Sequence, residues 1–145
     1  MITISFNDIL NSIKALASFE AGRGVQDESL YNTIMVSDAD KPFLLLHAQQ
    51  AQSAIASAML FCLPEYDVRE TSGDTLFVYS FGSDCALNET SPTKRLLSEA
   101  MSLYIMSRWL GNKIPERAET YVSMYGNIVE VLVKSANRSN PKIHI

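Results

Sequence analysis

The chain has 145 residues, 47% of them apolar and 19% charged, with a net charge of −4. Such a length and balance are ordinary for one soluble globular domain built on a single core. They argue against a sequence-specific nucleic-acid binder, since the pI is about 5.1 and the bases form no dense stripe.

Charge is unevenly spread. Residues 1–90 carry twelve acids against four bases, a balance of −8, whereas residues 91–145 carry eight bases against four acids, a balance of +4. The two halves either neutralise each other within one fold or offer an acidic face to a neighbour's basic face, as a head-to-tail ring requires. No stretch reads as a membrane span: the most apolar-rich run, Phe43 to Leu63, contains His47, Gln49, Gln50, Gln52, Ser53 and Ser57. Met1 to Asp8 lacks the basic and then apolar regions of a signal peptide, so a cytoplasmic (or virion) location is expected. Cys62 and Cys85 form no CxxC pair and no metal-ligand spacing, and buried free thiols are expected.

A short amphipathic helix is predicted over residues 6–19. Phe6, Ile9, Leu10, Ile13, Leu16 and Ala17 recur at helical spacing, with Ser5 as N-cap and Asp8 in the position of a capping-box acid. Ala21-Gly22-Arg23-Gly24 ends it. Residues 25–36 fit either helix or strand. Asp40 and Pro42 then open a long helix over 41–63, stopped by Pro64, with Phe43, Leu46, Ala54, Ala58 and Phe61 as its main face. Its small residues, among them Ala48, Ala51 and Ala56, let another helix approach, which places it centrally.

Residues 66–81 change to strand character around a Ser72-Gly73-Asp74 turn and read as a β-hairpin. A two-stranded ribbon is marginal alone and must pack on the helices or pair with another chain. A polar loop over 82–90 follows. Ser91-Pro92 opens a helix over 92–110 that Gly111 closes, and Pro115 starts a second over 115–135. Residues 137–145 read as a flexible tail, extended from Asn140-Pro141 onwards.

The two C-terminal helices carry more apolar surface than one small core can cover. The first has Leu96, Ala100, Leu103 and Leu110 on one stripe, Ile105, Met106 and Trp109 on a second, and Leu97, Met101 and Tyr104 on a third. The second has Ala118, Tyr121, Val122, Tyr125, Ile128, Val129 and Leu132 in line, with Met124 and Val131 off it. Aromatic and methionine side chains are favoured at protein interfaces. A subunit interface through Tyr104, Met106, Trp109, Met124, Tyr125 and Val131 is therefore expected. Gly126, inside the last helix, suggests a close helix crossing.

Nothing comparable speaks for chemistry. His47 has no Asp or Cys at helical spacing, His144 lies in the tail, and no metalloprotease, nucleophile-elbow, phosphate-loop or EF-hand pattern occurs. Gly22-Arg23-Gly24 reads as a helix terminator, and Asp38 and Asp40 as dipole partners at a helix start. No catalytic residue, cofactor or metal is expected.

The stretch from Leu96 to Pro141, LLSEAMSLYIMSRWLGNKIPERAETYVSMYGNIVEVLVKSANRSNP, resembles the C-terminal helix pair of small head–tail connector (adaptor) proteins of tailed phages and prophages. The features in common are the Trp109-Leu110-Gly111 stop, the Pro115 restart, Tyr121 and Tyr125 on the second helix, and a polar tail. The resemblance implies a non-enzymatic protein that forms rings between portal and tail proteins; the hairpin departs from an all-helical connector.

Together these observations predict a single α+β domain over 1–145, mainly α-helical, with about four helices and one inserted β-hairpin. The function expected is that of a self-associating structural protein, most concretely a head–tail connector. A partner-binding module of low oligomeric order is the alternative, and a small enzyme using His47 as base is the third reading.

Overall fold

The computed structural model describes residues 1–23, 28–60, 62, 65–82, 85, 87 and 91–138. In chain order it runs β1 (Ile2–Ser5), α1 (Phe6–Gly22), α2 (Glu28–Ile34), a 3-10 turn (Asp38–Asp40), α3 (Lys41–Ala58), β2 (Glu65–Thr71), β3 (Asp74–Ser80), α4 (Ser91–Leu110) and α5 (Pro115–Arg138). The class is α+β and mainly helical, as expected. The stretch left open between helix and strand contains α2, whose Ile34 is fully buried.

The strands form one antiparallel sheet in the order β1-β3-β2. The hairpin is where it was expected, with Gly73 taking the positive φ of 85° that its tight turn needs. Its third strand was not foreseen. Ile2 pairs with Tyr79 and Ile4 with Phe77, so these four buried side chains share one face of the sheet. That strand supplies the support a bare ribbon lacks.

Where β1 meets α1, Ser5 acts as the expected N-cap, its hydroxyl accepting from the Asp8 amide at 3.4 Å. A second cap comes from across the hairpin turn. Asp74 accepts the Asn7 amide at 3.1 Å and the Ser5 hydroxyl at 2.5 Å. Burial raises the Asp74 pKa, but the hydrogen bonds from Ser5, Asn7 and Thr75 outweigh it and hold the carboxyl below its ordinary value. Hairpin and helix are thereby fixed to each other.

Three expectations are corrected. The long helix ends at Ala58 rather than 63, because the chain turns at Met59 to bring Cys62 under the sheet's end. Its buried face is Leu44, Ala48, Ala51, Gln52, Ile55 and Ala56, whereas Phe43 and Leu46 are exposed. Phe61, Leu63 and Pro64 lie outside the described residues. Asp40 does not cap α3 with its side chain; its carboxylate accepts from the Ser37 amide at 2.8 Å instead.

The cysteines are not free thiols. A disulfide joins Cys62 and Cys85, with their Cα atoms 4.8 Å apart. The hairpin returns the chain to its own start, and the Gly82 amide donates to the Cys62 carbonyl at 2.8 Å. This juxtaposition was hidden in a sequence separation of 23.

The C-terminal helices match the reading from sequence closely, except that α5 continues to Arg138. Residues 139–145, the rest of the expected flexible tail, lie outside the described residues. α4 is the hub of the core: α5 packs along it, and α3, α1 and β1 contact it from other sides.

Candidate interaction surfaces

α5 shows what the surplus of apolar residues becomes in three dimensions. Ala118, Tyr121, Leu132 and Ala136 are buried, and Tyr125 and Ile128 are half-buried beside them. This stripe lies on α4. Val122 on one flank, and Met124 and Val131 on the other, are left 55%, 41% and 47% exposed. The apolar arc of the helix is therefore wider than the surface that covers it.

On the Met124 side, α5 and α1 diverge over the N-terminal half of α4. Between them runs an open groove of about 700 Å³. Leu16, Leu103 and Met124 supply its apolar walls, and Lys94, Arg95 and Glu99 its polar rim. Lys94 and Arg95 have no ion-pair partner among the described residues.

A clamp joins α1 to α5. Glu20, only 1% exposed, accepts a two-pronged bond from Arg117 at 2.8 and 3.0 Å and a third from the Tyr121 hydroxyl at 3.0 Å. The Arg117 hydrogen bonds hold the Glu20 carboxyl below its ordinary pKa despite burial. Burial and the bond to Glu20 push Tyr121 up to about 12. Both oxygens of the buried Glu20 carboxylate are engaged within the trio, so the clamp is structural. Sequence reasoning missed it because nothing in local spacing links residues 20 and 117.

The six residues expected at an interface separate into three groups. Met106 and Trp109 are core residues, which corrects the expectation that they face a partner. Met106 is fully buried, and the Trp109 indole N–H donates to the Ile34 carbonyl at 2.8 Å across from α2. The Lys113 ammonium sits 3.8 Å from the Trp109 ring centroid and completes its enclosure. Tyr104 and Tyr125 are half-buried and meet edge to face at 5.5 Å, joining α4 to α5. Met124 and Val131 alone of the six remain clearly on the surface.

His47 meets Gln50 and Phe43 on its own helix. Its Nδ1 lies 3.0 Å from the Gln50 side-chain oxygen, and its ring meets Phe43 edge to face at 4.3 Å. Among the described residues, no group of three or more His, Cys, Asp or Glu side chains could hold a metal ion. Nor is any of the described helices long and apolar enough to cross a membrane. Comparison with family models, with curated proteins and with solved structures finds no match for this chain.

Proposed function

We propose that this chain is a non-enzymatic assembly subunit that self-associates, most concretely a head–tail connector working between portal and tail proteins. The observation that carries the reading is the uncovered part of α5: Val122, Met124 and Val131 stand open on a helix that one neighbour cannot cover. The adjoining groove supports it, since its apolar walls and charged rim suit a protein segment better than a small polar substrate. The same groove favours a second reading, in which the chain is a low-order module that takes up a partner's amphipathic helix.

Light scattering during size exclusion, over a wide concentration range, tests the proposal. Wild type is expected to form a species of defined stoichiometry, and a Met124→Glu, Val131→Glu double variant to lose it while melting as before. A wild type that stays monomeric throughout contradicts self-association and favours the partner-binding module.

A further inference from the structure

The sheet has an open side. β2 is an edge strand: β3 pairs with one side of it, and nothing among the described residues pairs with the other. Six of its seven residues are exposed, and Val68 is half-buried. Edges are guarded against pairing by proline, a bulge, a short strand or charged side chains, and of these β2 carries charges at Glu65, Asp67, Arg69 and Glu70, which reject any partner strand that does not match them. β2 has no proline, and its ladder to β3 is unbroken from Glu65 to Thr71.

We infer that the outer edge of β2 pairs antiparallel with β2 of a second copy, about a two-fold axis at Val68. The backbone sets the choice of register. The Val68 amide points to the outer edge, where it is met by the Asp67 carboxylate at 2.8 Å. Alternation then turns the amides of Tyr66 and Glu70 the same way. Antiparallel pairing sets outward residues opposite outward residues, so the two-fold axis passes through a residue.

Charge selects which one. An axis at Asp67 sets Asp67 against itself, and one at Arg69 sets Arg69 against itself. An axis at Tyr66 opposes Glu65 to Asp67, and one at Glu70 opposes Glu70 to itself. Of the axes from Tyr66 to Glu70, the one at Val68 alone creates no like-charge pair. It sets Asp67 opposite Arg69 twice, Tyr66 opposite Glu70 and Glu65 opposite Thr71. Asp67 and Arg69 already lie 3.5 Å apart within one strand, so dimerisation exchanges two internal ion pairs, one in each copy, for two across the interface, and the charges select the register and add no ion pair.

The strand edge is not the whole surface. A stable dimer buries about 1,200–2,000 Å² in total, more than one short edge supplies. The two-fold axis puts α3 of both copies on the same side of the joined sheet. Ser53 marks the flank of α3 that looks towards β2, since its hydroxyl lies 3.2 Å from that of Tyr66. Along that flank run Leu46, Gln50, Ser53 and Ser57, with Leu60 just beyond the helix end. Leu46 and Leu60 are 51% and 69% exposed, and the serines between them permit close helix approach. Strand edge and helix flank thus form one continuous, self-complementary surface. It is separate from α5, so the inference does not depend on the function proposed above.

A charge-reversal pair tests it by light scattering during size exclusion. Asp67→Arg sets the new cation against Arg69 of the second copy, and Arg69→Asp sets the new anion against Asp67. Each variant alone is expected to fall to half the wild-type mass, with a dissociation constant raised on the order of tenfold or more. An equimolar mixture restores both ion pairs and regains the wild-type mass as a one-to-one assembly. Both positions are exposed, thermal melts verify the fold, and the mixture uses the same two proteins.

Variants that keep the wild-type mass, or a mixture of folded variants that stays apart, overturn the inference while leaving the α5 reading standing. An assembly that halves with Asp67→Arg but ignores Met124→Glu, Val131→Glu overturns the α5 reading alone. A wild type that is monomeric at every concentration overturns both.

Discussion

Trp109→Ala separates service to the fold from service to a partner. The side chain is 5% exposed, so its removal costs about 3–5 kcal/mol through lost burial and the cavity left behind. It also strips the Ile34 carbonyl of its donor, for roughly 1–3 kcal/mol more where water does not enter. A total of about 4–8 kcal/mol is a large part of the 5–15 kcal/mol typical of a whole domain. Trp109→Phe grades the effect, keeping most of the ring and losing the N–H, for about 1–3 kcal/mol. Urea unfolding followed by far-ultraviolet circular dichroism measures both variants, since the chain's single Trp cannot serve as its own fluorescence probe once replaced. The midpoint should fall with little change in slope. An alanine variant that loses less than about 1 kcal/mol but dissociates from an assembly would refute the core assignment.

The Glu20 clamp makes a pH prediction as well as a mutational one. Arg117→Met leaves the buried carboxylate with Tyr121 alone and should cost about 3 kcal/mol, the low end for a broken buried pair because Arg117 is itself 27% exposed. Glu20 has a depressed pKa in the folded state, so its contribution is complete above the ordinary value of 4.5 and is lost as pH falls below that. Urea midpoints of Glu20→Gln should therefore depend less on pH than those of wild type below about 4.5; parallel profiles would exclude the linkage. Asp74→Ala should cost about 1–2 kcal/mol by uncapping α1 and releasing the hairpin turn, and faster exchange of the Asn7 amide is its signature. Gly126→Ala should stabilise the isolated chain by about 1 kcal/mol, since an added methyl meets no atom within 4 Å; a lower melting temperature would refute this.

What was legible in the sequence was local. Ser5 with Asp8, Ser91-Pro92, Trp109-Leu110-Gly111 and Pro115 carry their own start and stop chemistry within a turn of the chain, and the helices begin or end near them. Ser72-Gly73-Asp74 did the same for the hairpin. What depended on distant partners was not legible. β1 is too short for four residues of alternation to stand out, and it becomes a strand because β3 is beside it. The disulfide joins two residues that only the intervening hairpin brings together. Trp109 and Met106 looked like surplus because α4 has three apolar stripes, and the covering elements, α2 among them, come from parts of the chain whose fold was ambiguous or misjudged. The same limit applies to α3, whose exposed flank only acquires meaning next to β2.

Gly126 sharpens the argument about α5. A close helix crossing was the reason to expect a glycine there, yet among the described residues nothing lies within 4 Å of a methyl added at that position. Glycine in an exposed helix interior is a standing cost of roughly 1 kcal/mol, and Val122 and Met124 nearby add uncovered apolar area. The β2 edge is a different kind of surface, self-complementary about a two-fold axis and able to join two copies only. An isologous contact of that sort closes on itself, so growth beyond a dimer needs a second contact elsewhere. The exposed flanks of α5, on another part of the molecule, provide one. If both contacts operate, assembly proceeds in dimer steps: Asp67→Arg should halve every species, whereas Met124→Glu, Val131→Glu should stop growth at the dimer. Native mass spectrometry of the two variants distinguishes this order from one built from monomers, and odd-numbered oligomers in the wild type would refute it.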